Sequence, residues 1–139
     1  MKKNSKRRMK VRCIVEGKSF ASGDVLFSEE PIAFLQGVDP ERGVVSDQKS
    51  PIFGEPFAGK VLVYPNAVGS SVGAYVIYRL KRNRMAPKAI INQSSDIITA
   101  SGCAIAGIAL YDLPENGISE LKNSKQIALN AVRGELILE

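Results

Sequence analysis

Three short apolar runs, residues 60–64 (KVLVY), 89–91 (AII) and 108–111 (IALY), are each separated by a segment of helical length. Runs this short and this apolar, bounded by turn residues, predict buried strands. Short strands joined through helices rather than tight turns run parallel. The stretch therefore reads β-α-β-α-β, with both helices laid against a sheet. The first helix is predicted from about Ser70 to Asn83, with Val72, Tyr75, Val76 and Leu80 at helical spacing on its core face. The second begins near Ser95 and Asp96. It would bury Ile97, Ala100, Ala104 and Ile105 and stop at Gly107.

The flanks have a different grammar. Runs 11–15, 25–27 and 32–35 are β-like and are broken at Glu16-Gly17, Ser22-Gly23-Asp24, Gly37, Asp39-Pro40 and Arg42-Gly43. A short helix or turn is expected near 118–122, then strands over 126–131 and 135–138, separated by Arg133-Gly134. At 139 residues the chain is long enough for one core without disulfides or metals. The fold class is α/β: one domain over 11–139, with a mixed, strand-rich, barrel-like layer added to the β-α-β-α-β unit.

Charge is unevenly spread. Lys2, Lys3, Lys6, Arg7, Arg8, Lys10 and Arg12 exceed the whole net charge of +5, and the other 12 basic residues face 14 acidic ones. Residues 1–10 accordingly read as a basic, disordered leader on a slightly acidic body. No apolar run reaches the ~18 residues of a membrane span and no signal-peptide core is evident, so a cytoplasmic location is expected. Cys13 and Cys103 are far apart, and a cytoplasmic chain favours free thiols over a bridge. Two cysteines cannot hold an iron–sulfur cluster or a structural zinc alone. Histidine is absent, which removes Ser-His triads and histidine metal sites together.

Between the first strand and the first helix lies Gly69-Ser70-Ser71-Val72-Gly73. The five residues satisfy G-x-S-x-G with Ser71 central, but a hydrolase built on that motif needs a histidine base. Residues 54–60 (GEPFAGK) begin a P-loop pattern, yet Val61 stands where serine or threonine is required and a strand follows where a helix should. The serines fall where unpaired helical N–H groups stabilise negative oxygen. Two readings stay open for them: an ordinary helix cap, or a hydroxyl that carries charge in a reaction. One helix end supplies only ~1–2 kcal/mol, so a reactive serine would need further machinery from another protein. Arg79, Lys81, Arg82 and Arg84 cluster at the end of the same helix. There they complement its dipole, and few aromatics accompany them as nucleic-acid readout would require.

A set of segments in fixed order adds to this reading: Glu16-Gly17, residues 34–43 (FLQGVDPERG), 59–63 (GKVLV), 69–75 (GSSVGAY) and 104–108 (AIAGI). Together they closely resemble the small-subunit, or swivelling-domain, component of the aconitase X family, from about Val11 to the C-terminus. The resemblance implies a swivelling β/β/α domain that closes over the active site of a larger catalytic subunit, in a heterodimer. It implies a hydro-lyase whose iron–sulfur cluster, carried by the large subunit, acts on the leaving hydroxyl. Ser70 takes the position of the proton-abstracting base, with Gly69, Ser71 and Gly73 as cap or substrate-side neighbours. The position after the serine pair is Val72, so no carboxylate-binding arginine is carried over from aconitase. For stand-alone archaeal small subunits the resemblance implies dehydration of (R)-5-phosphomevalonate, a phosphorylated hydroxy acid, to trans-anhydromevalonate 5-phosphate. Alternatives are another aconitase X dehydratase, for example one acting on a hydroxyproline, or a small basic nucleic-acid-binding protein.

Overall fold

A computed structural model describes residues 7–139. The first six residues of the predicted leader lie outside the described residues. The other four do not belong to a leader. They form strand β1 (Arg7–Lys10), antiparallel to β10 (Glu135–Leu138), with Arg7 opposite Leu138. Their charges have partners: Arg7 pairs with Glu120, and Arg8 with Glu135 at 2.7 Å. Met9 meanwhile packs into the barrel core, so the basic run conceals a half-buried edge strand.

β1 is separated from β2 (Arg12–Val15) by Val11 alone. The sheet contains eight strands, with β1 at one edge next to β10 and β2 at the other, so these sequence neighbours occupy its two opposite edges. One residue cannot cross an open sheet of that width. The sheet must curl until its edges meet at Val11, whose N–H donates to the Gly134 carbonyl at 2.9 Å. This gives the expected barrel-like layer. Strands β3 (Phe20–Phe27), β6 (Val61–Tyr64), β7 (Ala89–Asn92) and β8 (Ala109–Asp112) run parallel to one another. Strands β9 (Gln126–Asn130), β10 and β1 complete the wall in antiparallel fashion.

The three central strands are buried, as their short apolar runs predict, and on both faces. Val61, Val63, Ile91 and Tyr111 point into the barrel with Leu129 and Leu136. Leu62, Tyr64, Ile90 and Leu110 point the other way, under helices α1 (Gly73–Arg82) and α2 (Ile97–Ala106). A small lobe continues this outer core. In it Phe34–Gly37 makes one interrupted helical turn where 32–35 was expected to be a strand. Only Ile32 keeps a β-bridge, to Ala67. β4 (Val38–Asp39) and β5 (Val44–Val45) form a short hairpin whose turn is held by Asp39, accepting from the Glu41 and Arg42 N–H groups at 2.9 and 3.1 Å. Ile118–Leu121 is a 3₁₀ turn.

Both helices sit where expected but turn different faces inward. α1 begins at Gly73, and its buried residues are Gly73, Val76, Ile77 and Leu80; Val72 and Tyr75 are exposed. α2 buries Thr99, Gly102, Cys103 and Ala106, leaving Ile97 76% and Ile105 72% exposed, Ala104 exposed and Ala100 half-buried. α2 is apolar nearly all round, so periodicity does not choose its face. Close approach chooses it: a Cβ on Gly102 would lie 3.0 Å from the Ala74 Cα and 3.1 Å from its carbonyl oxygen. The helices cross at this glycine. Asp96 caps α2, accepting from the Ile98 and Thr99 N–H groups at 3.0 and 3.3 Å, and Gly107 ends it in the left-handed conformation. No helix among the described residues is long and apolar enough to cross a membrane.

Two outcomes follow from this packing. Gly102→Val should lower unfolding free energy by about 1–3 kcal/mol through overpacking, read as a reduced urea midpoint at constant slope. Burial, with Asp96 adding to it, pushes the Cys103 thiol up to about 12. The unfolded thiol ionises near ~8.5, so the native state binds more protons than the unfolded one between that pH and the folded value. Stability contributed by the neutral thiol is complete below that window and is lost as pH rises through it. Cys103→Ala should accordingly flatten the fall in urea midpoint between about pH 9 and 11 relative to the parent chain.

Candidate active-site loop at Ser70

The loop leaving β6 lies at the C-terminal end of the parallel strands, where α/β sheets present their ligands. It is tied down on both sides. The Val68 N–H donates to the Ile32 carbonyl at 3.0 Å, and the Pro65 carbonyl accepts from the Gln93 N–H at 2.9 Å. Gly69 has φ +102, so a side chain there would be strained, and the chain turns sharply at this point. Ser70 and Ser71 follow, both exposed.

The two serines are not equivalent. Ser70 Oγ accepts the Val72 N–H at 3.0 Å. The Ser70 carbonyl accepts from Gly73 at 3.0 Å, and that of Ser71 from Ala74 at 3.3 Å. This tight turn leads into α1 and consumes donors that an unpaired helix end would offer. The Ser70 hydroxyl therefore closes the turn that precedes α1, whose N-cap is Val72 with no side-chain cap bond, and no side-chain bond is formed by Ser71 among the described residues. The same geometry aims one backbone N–H directly at Ser70 Oγ, where it lowers the cost of negative charge on that oxygen. Gly73 is buried; a Cβ there would touch Phe34 at 3.6 Å.

Beside Ser70 is a recess of about 50 Å³, bordered by Gly69, Gly73, Phe34, Asp96 and Thr99. A pocket that encloses a small molecule measures roughly 300–1,000 Å³. This recess can receive part of a substrate and no more. Its floor is rigid: Phe34 meets the ring of Tyr64 edge-on at 6.0 Å, and Tyr64 is fully buried. Burial pushes the Tyr64 phenol well above its usual range, so it stays neutral. Asp96 is an acidic residue at this site that no sequence motif marks. Its carboxylate accepts the Thr99 hydroxyl at 2.6 Å in addition to its cap bonds. The sequence signal for it was the helix start itself, which gave no sign that the loop after β7 would close on the loop after β6. Val68 borders the recess and is exposed, as are Val72 just after the serines, Tyr75 on α1 and Ile97 at the start of α2.

The chain's own residues do not fit an iron–sulfur cluster. Cys103 is fully buried with its thiol pKa raised, and Cys13 lies apart on β2 with a raised pKa of its own, chiefly from desolvation. A thiolate ligand needs the opposite environment. Among the described residues no three histidine, cysteine or acidic side chains converge as a metal site. The basic cluster of α1 is also remote from Ser70 in function. Arg79 pairs with Glu41 at 3.6 Å, and Arg82 donates to the Tyr78 hydroxyl at 3.1 Å.

Known proteins match this arrangement over nearly its whole length. The family model described as the aconitase X swivel domain matches residues 8–138. The phosphomevalonate dehydratase small subunit of Thermococcus kodakarensis is 47% identical over 133 residues, covering 95% of this chain and 97% of the relative. The protein of the same name from Methanothermobacter thermautotrophicus is 42% identical, covering 92% and 98%. The crystal structure of Thermococcus kodakaraensis aconitase X in its holo-form superposes with a TM-score of 0.84 at 43% identity, covering 96% of this chain and 99% of that one. The solution structure of a UPF0107 protein gives 0.82 at 37% identity, with the same coverage. Matched over residues 8–138 by the family model and over 95% or more of its length by the Thermococcus proteins, the chain belongs to the aconitase X swivel-domain family.

Proposed function

We propose that this chain is the small subunit of a phosphomevalonate dehydratase and that Ser70 is its catalytic residue. The observation that carries the reading is a serine on a rigid, exposed loop beside a recess far too small for the substrate, in a chain matched from end to end by relatives of that name. Such a serine is one half of a site. The reaction is a dehydration: a proton leaves one carbon, hydroxide leaves its neighbour, and a double bond forms between them. Ser70 Oγ, as its alkoxide, takes the proton and becomes the neutral hydroxyl, and the Val72 N–H at 3.0 Å steadies the alkoxide beforehand. Gly69 supplies the turn that exposes the hydroxyl, Gly73 begins α1, and Ser71 continues the turn through its carbonyl.

The large subunit supplies the rest. In this reading it carries the iron–sulfur cluster, binds the substrate's carboxylate and phosphate, and is required for any turnover. The exposed Val68, Val72, Tyr75 and Ile97 support docking on that side, since apolar surface near a catalytic group excludes water once covered. The same reading puts the complex in the cytoplasm, where Cys13 and Cys103 stay reduced. A nucleic-acid role loses ground, because Arg7, Arg8 and Arg12 are engaged by Glu120, Glu135 and Asp112.

Co-expression with the large subunit and assay of phosphomevalonate dehydration tests the assignment. Ser70→Ala should assemble normally and lose at least ~10²-fold in turnover. Ser71→Ala should keep most activity. An assembled Ser70→Ala complex with near-parental turnover would overturn the role given to Ser70. Because the same change also removes the turn hydrogen bond from the Val72 N–H, worth about 1 kcal/mol, assembly is checked by size exclusion before rates are compared.

A further inference from the structure

A second concavity lies at the other end of the domain, with a volume of about 680 Å³. It is bordered by Gly59, Lys88 and Ile108, which sit at the N-terminal starts of β6, β7 and β8. Ser70 follows the C-terminal end of β6, so a four-residue strand, about 13 Å, separates the two places. One small molecule does not serve both.

Four cationic side chains line this cleft, Lys18, Lys81, Arg84 and Lys88, and no acidic residue does. A helix-end role explains Arg79 and Arg82, which have found partners, but not Lys81 and Arg84. Neither of these makes an ion pair or side-chain hydrogen bond among the described residues. The carbonyls they would complement are already closed by backbone: Arg84 N–H donates to Lys81 O at 3.1 Å, and Met85 N–H to Leu80 O at 2.9 Å. This is a Schellman closure, in which the left-handed position ordinarily belongs to glycine. Here Arg84 occupies it at φ +61. A side chain is kept where the backbone would be better served without one. Lys88 is fixed on the facing wall, its ammonium donating to the Ser22 carbonyl at 2.7 Å. Between the charges the lining is apolar, including Ile108, Pro87 and the 63%-exposed ring of Phe20.

We propose that this cleft binds a phosphate-ester anion carrying a small apolar group. A concavity of one charge sign concentrates anions, lysine and arginine donors match phosphate oxygens, and the Phe20 wall receives the ester's apolar part. The site is independent of Ser70 and of the reaction assigned to it.

Phenyl phosphate and inorganic phosphate are the probes, titrated into the ¹⁵N-labelled full chain and, by calorimetry, into the complex with its large subunit. Phenyl phosphate should move the amides of Lys18, Ser22, Lys88 and Gly107 saturably, leave residues 69–72 in place, and bind roughly tenfold tighter than inorganic phosphate. Arg84→Gly suits the left-handed position, so it should keep or raise the thermal midpoint while weakening phenyl phosphate about tenfold. Phe20→Ser should erase the preference between the probes. Shifts confined to residues 69–72, no saturation at low millimolar concentration, or unchanged affinity in Arg84→Gly would each overturn the proposal. So would loss of large-subunit assembly in Lys81→Glu without any phosphate binding, which would make the cleft a contact for an acidic protein segment.

Discussion

The single-residue link at Val11 governs the architecture more than any one contact. Strands on either side of it must occupy opposite edges of an eight-stranded sheet, and that is possible only if the sheet closes on itself. Closure gives the barrel an interior of its own, filled by one set of side chains from β6, β7 and β8. The alternate set on the same strands is left for the helices. Strands buried on both sides cannot shift register without moving apolar side chains between two dry cores. The loops at their ends are therefore held in fixed relation. Ser70 after β6 and Asp96 after β7 come together because their strands have no freedom to do otherwise.

In the reading proposed for Ser70, the loop holds only a small part of a reaction centre. Its backbone supplies a turn and one N–H aimed at an oxygen. Neither is strong, and neither is surrounded by the walls that would exclude water. What the loop does offer is position, since the Ile32 and Pro65 bonds and the Phe34–Tyr64 ring contact leave it little room to move. In electrostatic catalysis most of the benefit lies in having groups placed before charge develops. A rigid fragment presented to a partner can contribute this even though it binds almost nothing itself.

The legible parts of the sequence were those in which one force acted alone. Residues 60–64, 89–91 and 108–111 could be read as buried parallel strands because short apolar runs bounded by turn residues suit a buried strand, and helical segments join them. The loop at Gly69-Ser70-Ser71 could be found because a strand, a turn and a helix follow one another there. Where two forces compete, the reading failed. α2 is apolar around most of its circumference, and its inward face is set by Gly102 meeting the Ala74 backbone, a contact between segments that local pattern does not encode. β1 looked like a solvated tail because three of its four residues are charged, while its single apolar residue, Met9, was enough once Glu120 and Glu135 were in reach. Tyr75 and Val72 looked like core and lie on the surface. Helical spacing alone does not say which apolar side chains a helix turns inward.

The pairing of β1 with β10 has a consequence for how this domain can be joined to others. Arg7 stands opposite Leu138, about 5 Å away across one ladder rung. A polypeptide entering by the first strand and leaving by the last does so through a single doorway, with the barrel and the serine loop untouched beyond it. Domains with adjacent entry and exit can be appended to a neighbour, or inserted within one, by changing only the linkers. The same domain can thus work as a separate subunit or as one module of a longer chain.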